Sequence, residues 1–157
     1  MTLPERVQEA LERGGGLEEA LGLIIARFGA EGGTIHMLEP DGLLHLQAAS
    51  RGMPAVVLDA VRTVPPGKGM AGLAAERRQP VNVCNLQTDS SGDVRPGAKA
   101  TGFAGAVAVP ILDGERAVGA LGIGQRGERV FSEAECALLI EAGRAIAARL
   151  QAAASRR

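Results

Sequence analysis

The chain contains no tryptophan and no tyrosine, and its whole aromatic content is Phe28, Phe103 and Phe131. The stacking platforms that hold single-stranded nucleic acid, sugars or quaternary cations are therefore missing. An excess of positive charge is missing too, because 17 Lys and Arg face 18 Asp and Glu and leave a formal charge of −1. Without a broad electropositive field to hold a phosphate backbone, nucleic acid is not an expected partner. Cysteine is scarce: Cys84 and Cys136 stand far apart, and both are expected to be reduced thiols. Long hydrophobic runs are absent as well. The stretch Phe103 to Leu112 is too short for a bilayer and is interrupted by Pro110, so no membrane partner is expected. Met1 to Arg13 mixes acidic and basic residues rather than forming a charged-then-apolar leader, which leads to the expectation of a cytoplasmic protein.

What remains is ample material for one core. The 157 residues are 46% hydrophobic and 22% charged, which suits a single domain over 1–157. Residues 1–16 read as an N-terminal helix with a Gly-rich break, 17–150 as the core and 151–157 as a tail. Thr2 and Glu5 have capping-box spacing, and Leu3, Val7, Ala10 and Leu11 repeat at helical period up to about Arg13. Gly14 to Gly16 break that helix, and a second one carries Leu17, Ala20, Leu21, Ile24 and Phe28 on one stripe before Gly29.

From Gly33 the period changes to two. Thr34 to Leu38, the turn Glu39-Pro40-Asp41-Gly42 and Leu43 to Ser50 read as an antiparallel hairpin. A short helix follows Pro54 and stops at Pro65-Pro66, and another runs through Met70, Leu73 and Ala74. Pro80 to Val83 is a brief strand, and Asn85 to Lys99 is a long polar loop without sustained period. Ala104 to Pro110 and Arg116 to Gln125 form a second hairpin around Asp113-Gly114, their small residues suggesting tight packing on both faces. Ser132 and Glu135 form another capping box, and the helix from Glu133 to about Ala153 carries Cys136, Leu139, Gly143, Ile146 and Leu150 on one face. Leu138, Ala142 and Ala145 add a second apolar face, which calls for two partners. The second is either the first helix or its copy in another subunit. A homodimer through the terminal helices is expected, anchored by Leu139 and Ile146, with both helices packing only on their own sheet as the alternative.

The chemistry-bearing residues concentrate in the middle of the chain. A long polar loop in a compact domain is a ligand lid or a solvated surface with self-neutralising charges. Read as a lid, it supplies Asn85, Asp89, Ser91, Asp93, Arg95, Lys99 and Thr101 as ligand-binding residues, with Met70 and Phe103 as apolar walls. Gly67-x-Gly69-x-x-Gly72 has dinucleotide-fingerprint spacing but follows Pro65-Pro66 instead of a strand, so no cofactor is expected. Free amides at the start of the Met70 helix, helped by Lys68, are nevertheless suited to an anion on a ligand. Asp89 and Asp93 lack the further acids of a calcium loop, and His36 and His45, placed on paired strands, are expected near each other as ordinary strand residues; no metal is expected. No Ser-His-Asp order or acid pair is present, so no catalytic residues and no enzyme are expected.

The order and spacing of five segments carry a resemblance. Gly33 to Leu38 with its Asp-Gly turn, Gly67 to Gly72, Pro80 to Val83, Gly105 to Pro110 and Val118 to Gly122 together resemble the GAF domain family over about Leu17 to Leu150, and Phe131 to Glu135 is similar to that family's start of its last helix. The resemblance implies an α+β fold, a GAF-like (profilin-like) central antiparallel sheet with the N- and C-terminal helices on one face and short helices and the loop on the other. It implies a regulatory domain that senses an unidentified small molecule, with a signalling protein as downstream partner. The acidic residue often found after the Pro80 strand is replaced by Asn85, and the cyclic-nucleotide constellation and a bilin-type Cys-His pair are absent. One branch of the family, the free methionine-R-sulfoxide reductases, does thiol chemistry at a pocket, which makes a reductase centred on Cys84 the alternative. A ligand-free dimerisation adaptor is the third reading.

Overall fold

Capping fixes where the long helices begin. In the computed structural model, which describes residues 1–155, Thr2 Oγ1 accepts the Glu5 N–H at 3.3 Å and a Glu5 carboxylate oxygen accepts the Thr2 N–H at 3.0 Å. This reciprocal box starts α1, Leu3–Glu12. The next helix, α2, spans Leu17–Phe28 and closes at Gly29, whose φ of +62° suits a residue without Cβ. Ser132 and Glu135 repeat the reciprocal pair at 3.1 and 2.9 Å ahead of α6, Glu133–Ser155. Of the tail assigned from sequence, 156–157 lie outside the described residues.

Between these helices lie β1 (Gly32–Leu38), β2 (Leu44–Ala49), α3 (Ala55–Ala60), β3 (Thr63–Val64), α4 (Gly69–Arg77), β4 (Val81–Val83), α5 (Pro96–Lys99), β5 (Gly105–Asp113) and β6 (Arg116–Gln125). The strands form one curled antiparallel sheet in the order β3-β2-β1-β6-β5-β4. Two elements escaped the sequence reading. The two residues of β3 pair with Leu44 and His45 at the sheet edge, a contact with no local signature. The single turn of α5 starts on Pro96, whose fixed φ suits a first helical position inside a segment that is otherwise aperiodic.

Alternation along β5 and β6 decides what each face of the sheet can hold. Val107, Val109 and Ile111, with Leu121, Ile123 and Ile35, point to one side and bury against Leu21, Ile24, Leu139 and Ile146 of α2 and α6. Residues on the other side are small: Ala108 meets Ala74 of α4, and Ala106 meets Val83 and Leu86. The expectation of tight packing on both faces is thus corrected. Only the face carrying branched residues is closely filled.

The second apolar face of α6 finds its partner within the chain, because α1 lies against α6 with Leu3, Val7 and Leu11 buried in the same cluster. Arg129 ties the corner of this layer. Its guanidinium donates to the Phe28 carbonyl at 2.7 Å and to Gln125 Oε1 at 2.9 Å, pairs with Glu135 and lies 4.2 Å from the Phe131 ring centre. Among the described residues no helix is long and apolar enough to cross a membrane.

Candidate functional site

Small residues on one sheet face leave a space that α3, α4 and the segment around α5 roof over without filling. The cavity measures about 380 Å³, within the range of small-molecule sites and at its lower end. Its floor is Thr34 and His36 of β1, Ala106 and Ala108 of β5, and Gly122 and Gly124 of β6. Val57 of α3, Val61 and Val64 form one wall and Met70 and Ala71 of α4 another. Phe103 closes an end because glycine lies beneath its ring: a Cβ at Gly32 would stand 2.8 Å from the ring, and one at Gly124 only 2.7 Å.

Of the residues expected from sequence, Met70, Arg95, Thr101 and Phe103 line this cavity. Asn85, Asp89, Ser91, Asp93 and Lys99 lie outside its lining. They answer one another or the surface instead. Asn85 donates to Glu128 at 3.1 Å and accepts the Gln87 N–H at 2.9 Å. Asp89 accepts the Ser91 hydroxyl at 2.6 Å, Ser91 Oγ accepts the Asp93 N–H at 3.1 Å, and Asp93 stands 3.5 Å from Arg77. The Lys99 carbonyl accepts from Gln87 Nε2 at 3.0 Å. Short polar side chains two residues apart form such local turns readily. The loop is fastened through its apolar members, Leu86, Val94, Ala98 and Phe103, which pack with Val83 and Ala106. Thr101 reaches the cavity with its hydroxyl already engaged, donating to the Ala98 carbonyl and accepting from the Phe103 N–H.

Residues missed by sequence reasoning supply most of the floor. The signal was present in the strict small-large alternation of Ala106-Val107-Ala108-Val109 and Leu121-Gly122-Ile123-Gly124, which marks a two-sided strand with one roomy face. His36 was placed near His45, and the structure corrects this. A register shift between Ile35 and His36 sets His36 opposite Leu46 and His45 opposite Met37, so the rings leave the sheet on opposite faces. His45 sits between Asp41 at 2.7 Å and Glu39 at 3.3 Å. His36 is 2% exposed, and its Nε2 lies 2.8 Å from the Val61 carbonyl. Because a carbonyl only accepts, Nε2 carries the proton and Nδ1, a lone-pair acceptor, is left without a partner. Among the described residues, no group of three or more His, Cys, Asp or Glu is placed to hold a metal.

Burial pushes the His36 pKa below its usual 6.5, the Val61 hydrogen bond opposing only in part. The unfolded chain therefore takes up this proton first as the pH falls, and stability drops from about pH 6.5 downward until the folded-state value is passed. Melting curves between pH 7.5 and 5 are expected to show that decline, and His36→Gln, whose amide N–H replaces the bond to Val61, is expected to flatten it. A second decline follows below about pH 4.5. There Glu135, held low by the Ser132 N–H and Arg129, and Asp41, held low by the Leu43 N–H and His45, become protonated.

Neither thiol belongs to the cavity lining. Along β4, Val81 and Val83 face the α4 side, while Asn82 turns to the α6 side, donating to the Phe131 carbonyl at 2.7 Å and accepting its N–H at 3.2 Å. Cys84 follows β4, exposed, with Sγ 3.9 Å from a Glu128 carboxylate oxygen. Cys136 is buried on α6, and that burial, with Glu135 and Glu133 beside it, pushes its thiol pKa up.

A family model described as the GAF domain matches residues 17–151. The fold is similar to that of the GAF domain from an Acinetobacter phosphoenolpyruvate-protein phosphotransferase, with 18% identity, a TM-score of 0.76 and coverage of 98% of this chain and 93% of that one. The GAF domain of the Coxiella burnetii phosphoenolpyruvate-protein phosphotransferase is similar at 22% identity and a TM-score of 0.74, covering 98% and 94%. The free methionine-R-sulfoxide reductase of Neisseria meningitidis, solved with its substrate, aligns at 18% identity and a TM-score of 0.73 over 90% of this chain and 79% of that one. No curated protein sequence matches the chain.

Proposed function

The chain belongs to the GAF domain family, and from that premise we propose that it is a regulatory domain that senses a small molecule. The observation that carries this reading is the cavity of about 380 Å³ between the small-residue face of the sheet and α3 to α5. A ligand-free adaptor has no use for such a space, since interiors ordinarily fill to close-packed density. Binding reaches the rest of the domain through the strands themselves. Ala106 and Ala108 of β5 floor the cavity while Val107, Val109 and Ile111 of the same strand bury against the helical layer. A ligand that prefers one arrangement of β5 and β6 thereby biases how α6 is seated, by no more than its differential affinity for the two arrangements.

This packing also bears on the partner. The apolar faces of α1 and α6 cover each other within one chain, so the output surface is what these helices leave exposed, Glu5, Arg6 and Gln8 of α1 and Ala137, Glu141 and Ala148 of α6, presented to a signalling protein. A homodimer through them would have to use that exterior.

A thiol reductase is the competing reading, because reductases share the fold. The cavity lining contains no cysteine, and Cys84 lies beside Glu128. Thiol chemistry needs the sulfur at the bound substrate, so the placement favours binding over turnover. Native mass spectrometry of freshly purified protein, followed by a metabolite screen read by melting temperature, tests the proposal. Saturable stabilisation by at least one compound is expected, unchanged in Cys84→Ser. Turnover of free methionine sulfoxide by the unmodified protein, lost in Cys84→Ser, would replace the sensing reading with the reductase one.

A further inference from the structure

Resting on the reading of the cavity as a ligand site, we infer that its ligand is a small organic anion, a carboxylate on an apolar body, held by Lys68 and Arg95 at the cavity mouth. Both residues line the cavity, and among the described residues the lining contains no Asp or Glu. No ion-pair partner of either is present among the described residues: Asp93, two residues before Arg95, pairs with Arg77 instead, and the Glu76 carboxylate lies against Gly67.

Gly69 lets the Arg95 stem lie against the residue that follows Lys68. Lys68 immediately precedes α4, and the Arg95 stem lies across the start of the same helix: a Cβ at Gly69 would stand 2.8 Å from Arg95 Cδ and 3.1 Å from Cγ. Gly69 has φ +67° as well, so both the backbone and the space call for glycine. The first turn of α4 has no side-chain cap, and Gly69, Met70 and Ala71 all line the cavity. Their uncapped N–H groups add partial positive charge at the same end of the helix. Both side chains keep surface in solvent, which places the charged end of the ligand at the mouth. The apolar walls take its body.

One polar group of the lining is buried without a partner. His36 lines the same cavity at 2% exposure, with Nδ1 lacking a hydrogen-bond partner. A buried acceptor left unpaired is costly and rare in a folded domain. Two cations without an ion-pair partner, in a lining that holds no Asp or Glu among the described residues, match an organic acid.

The test uses the full chain and three probes of one shape, hexanoate, hexanamide and hexylammonium, titrated against the methyl resonances of Val57, Val64 and Ala108. Hexanoate is expected to bind about tenfold tighter than hexanamide, with hexylammonium weakest, as a charge-assisted hydrogen bond requires. In the Lys68→Gln/Arg95→Gln double variant, which changes only exposed side chains, the carboxylate preference is expected to vanish while the melting temperature stays as it was. Equal binding of all three probes, or a preference that survives the double variant, would overturn the anion assignment and leave the cavity reading standing. If no probe shifts any of the three methyl resonances, the cavity reading falls and the anion assignment with it.

Discussion

Gly122→Val is expected to fold normally and to weaken small-molecule binding by about a hundredfold or more, a loss of roughly 2.7 kcal/mol or greater. A Cβ at Gly122 would rest 3.6 Å from Thr34 Oγ1 and 3.7 Å from the Val107 carbonyl oxygen, ordinary contact distances that strain nothing. The two methyls of valine then rise from the cavity floor into the volume a ligand would use. Valine also suits a strand better than glycine does, so the melting temperature is expected to hold or increase. Calorimetric titration of a ligand found by the metabolite screen, against wild type and variant, measures the loss. Wild-type affinity in a folded Gly122→Val protein would show that binding occurs elsewhere.

Three residues earlier on the same strand, the opposite outcome is expected. Gly119→Ala puts its Cβ 2.3 Å from the His36 carbonyl oxygen and 2.8 Å from Met37 Sδ. Met37 is the β1 residue paired with Gly119, so relief requires the β1–β6 ladder to open. Overpacking of this kind costs about 1–3 kcal/mol, and a clash with backbone belongs at the upper end. The melting temperature of a domain this size is expected to fall by roughly 5–10 °C. In urea the midpoint should drop while the slope stays constant. Gly122→Ala, with only ordinary contacts to meet, is the matched control and is expected to be close to neutral. The pair distinguishes a glycine kept for backbone approach from one that leaves room for a ligand.

The contrast between Gly119 and Gly122 follows from the alternation of strand side chains, and that much is written in the sequence. So is the unsupported corner at the start of α4, since Lys68 and the glycines around it mark a helix start without a capping side chain. The segment from Asn85 to Thr101 does roof the cavity, but not through the polar residues that read as its ligand contacts. Hydrogen-bonding groups close together in the chain satisfy each other first, as Asp89, Ser91 and Asp93 do. The segment therefore turns its apolar residues inward, while Arg95 edges the cavity with its side chain exposed. Among its expected ligand contacts, Arg95 and Thr101 line the cavity, while Asn85, Asp89, Ser91, Asp93 and Lys99 do not.

By itself the sequence determined the helix starts, through Thr2–Glu5 and Ser132–Glu135, the order of every strand but β3, the side-chain alternation of β5 and β6, and membership signals spread from Gly33 to Glu135. These are local or periodic properties, set by caps, turns and the side-chain alternation of a strand. Tertiary structure alone decided that α1 packs on the second apolar face of α6, that a one-residue register shift puts His45 on the sheet face opposite His36, and that the Arg95 stem crosses Gly69. Each joins parts of the chain whose mutual placement is set by sheet register and layer packing, and periodicity says which way a side chain points but not what it meets.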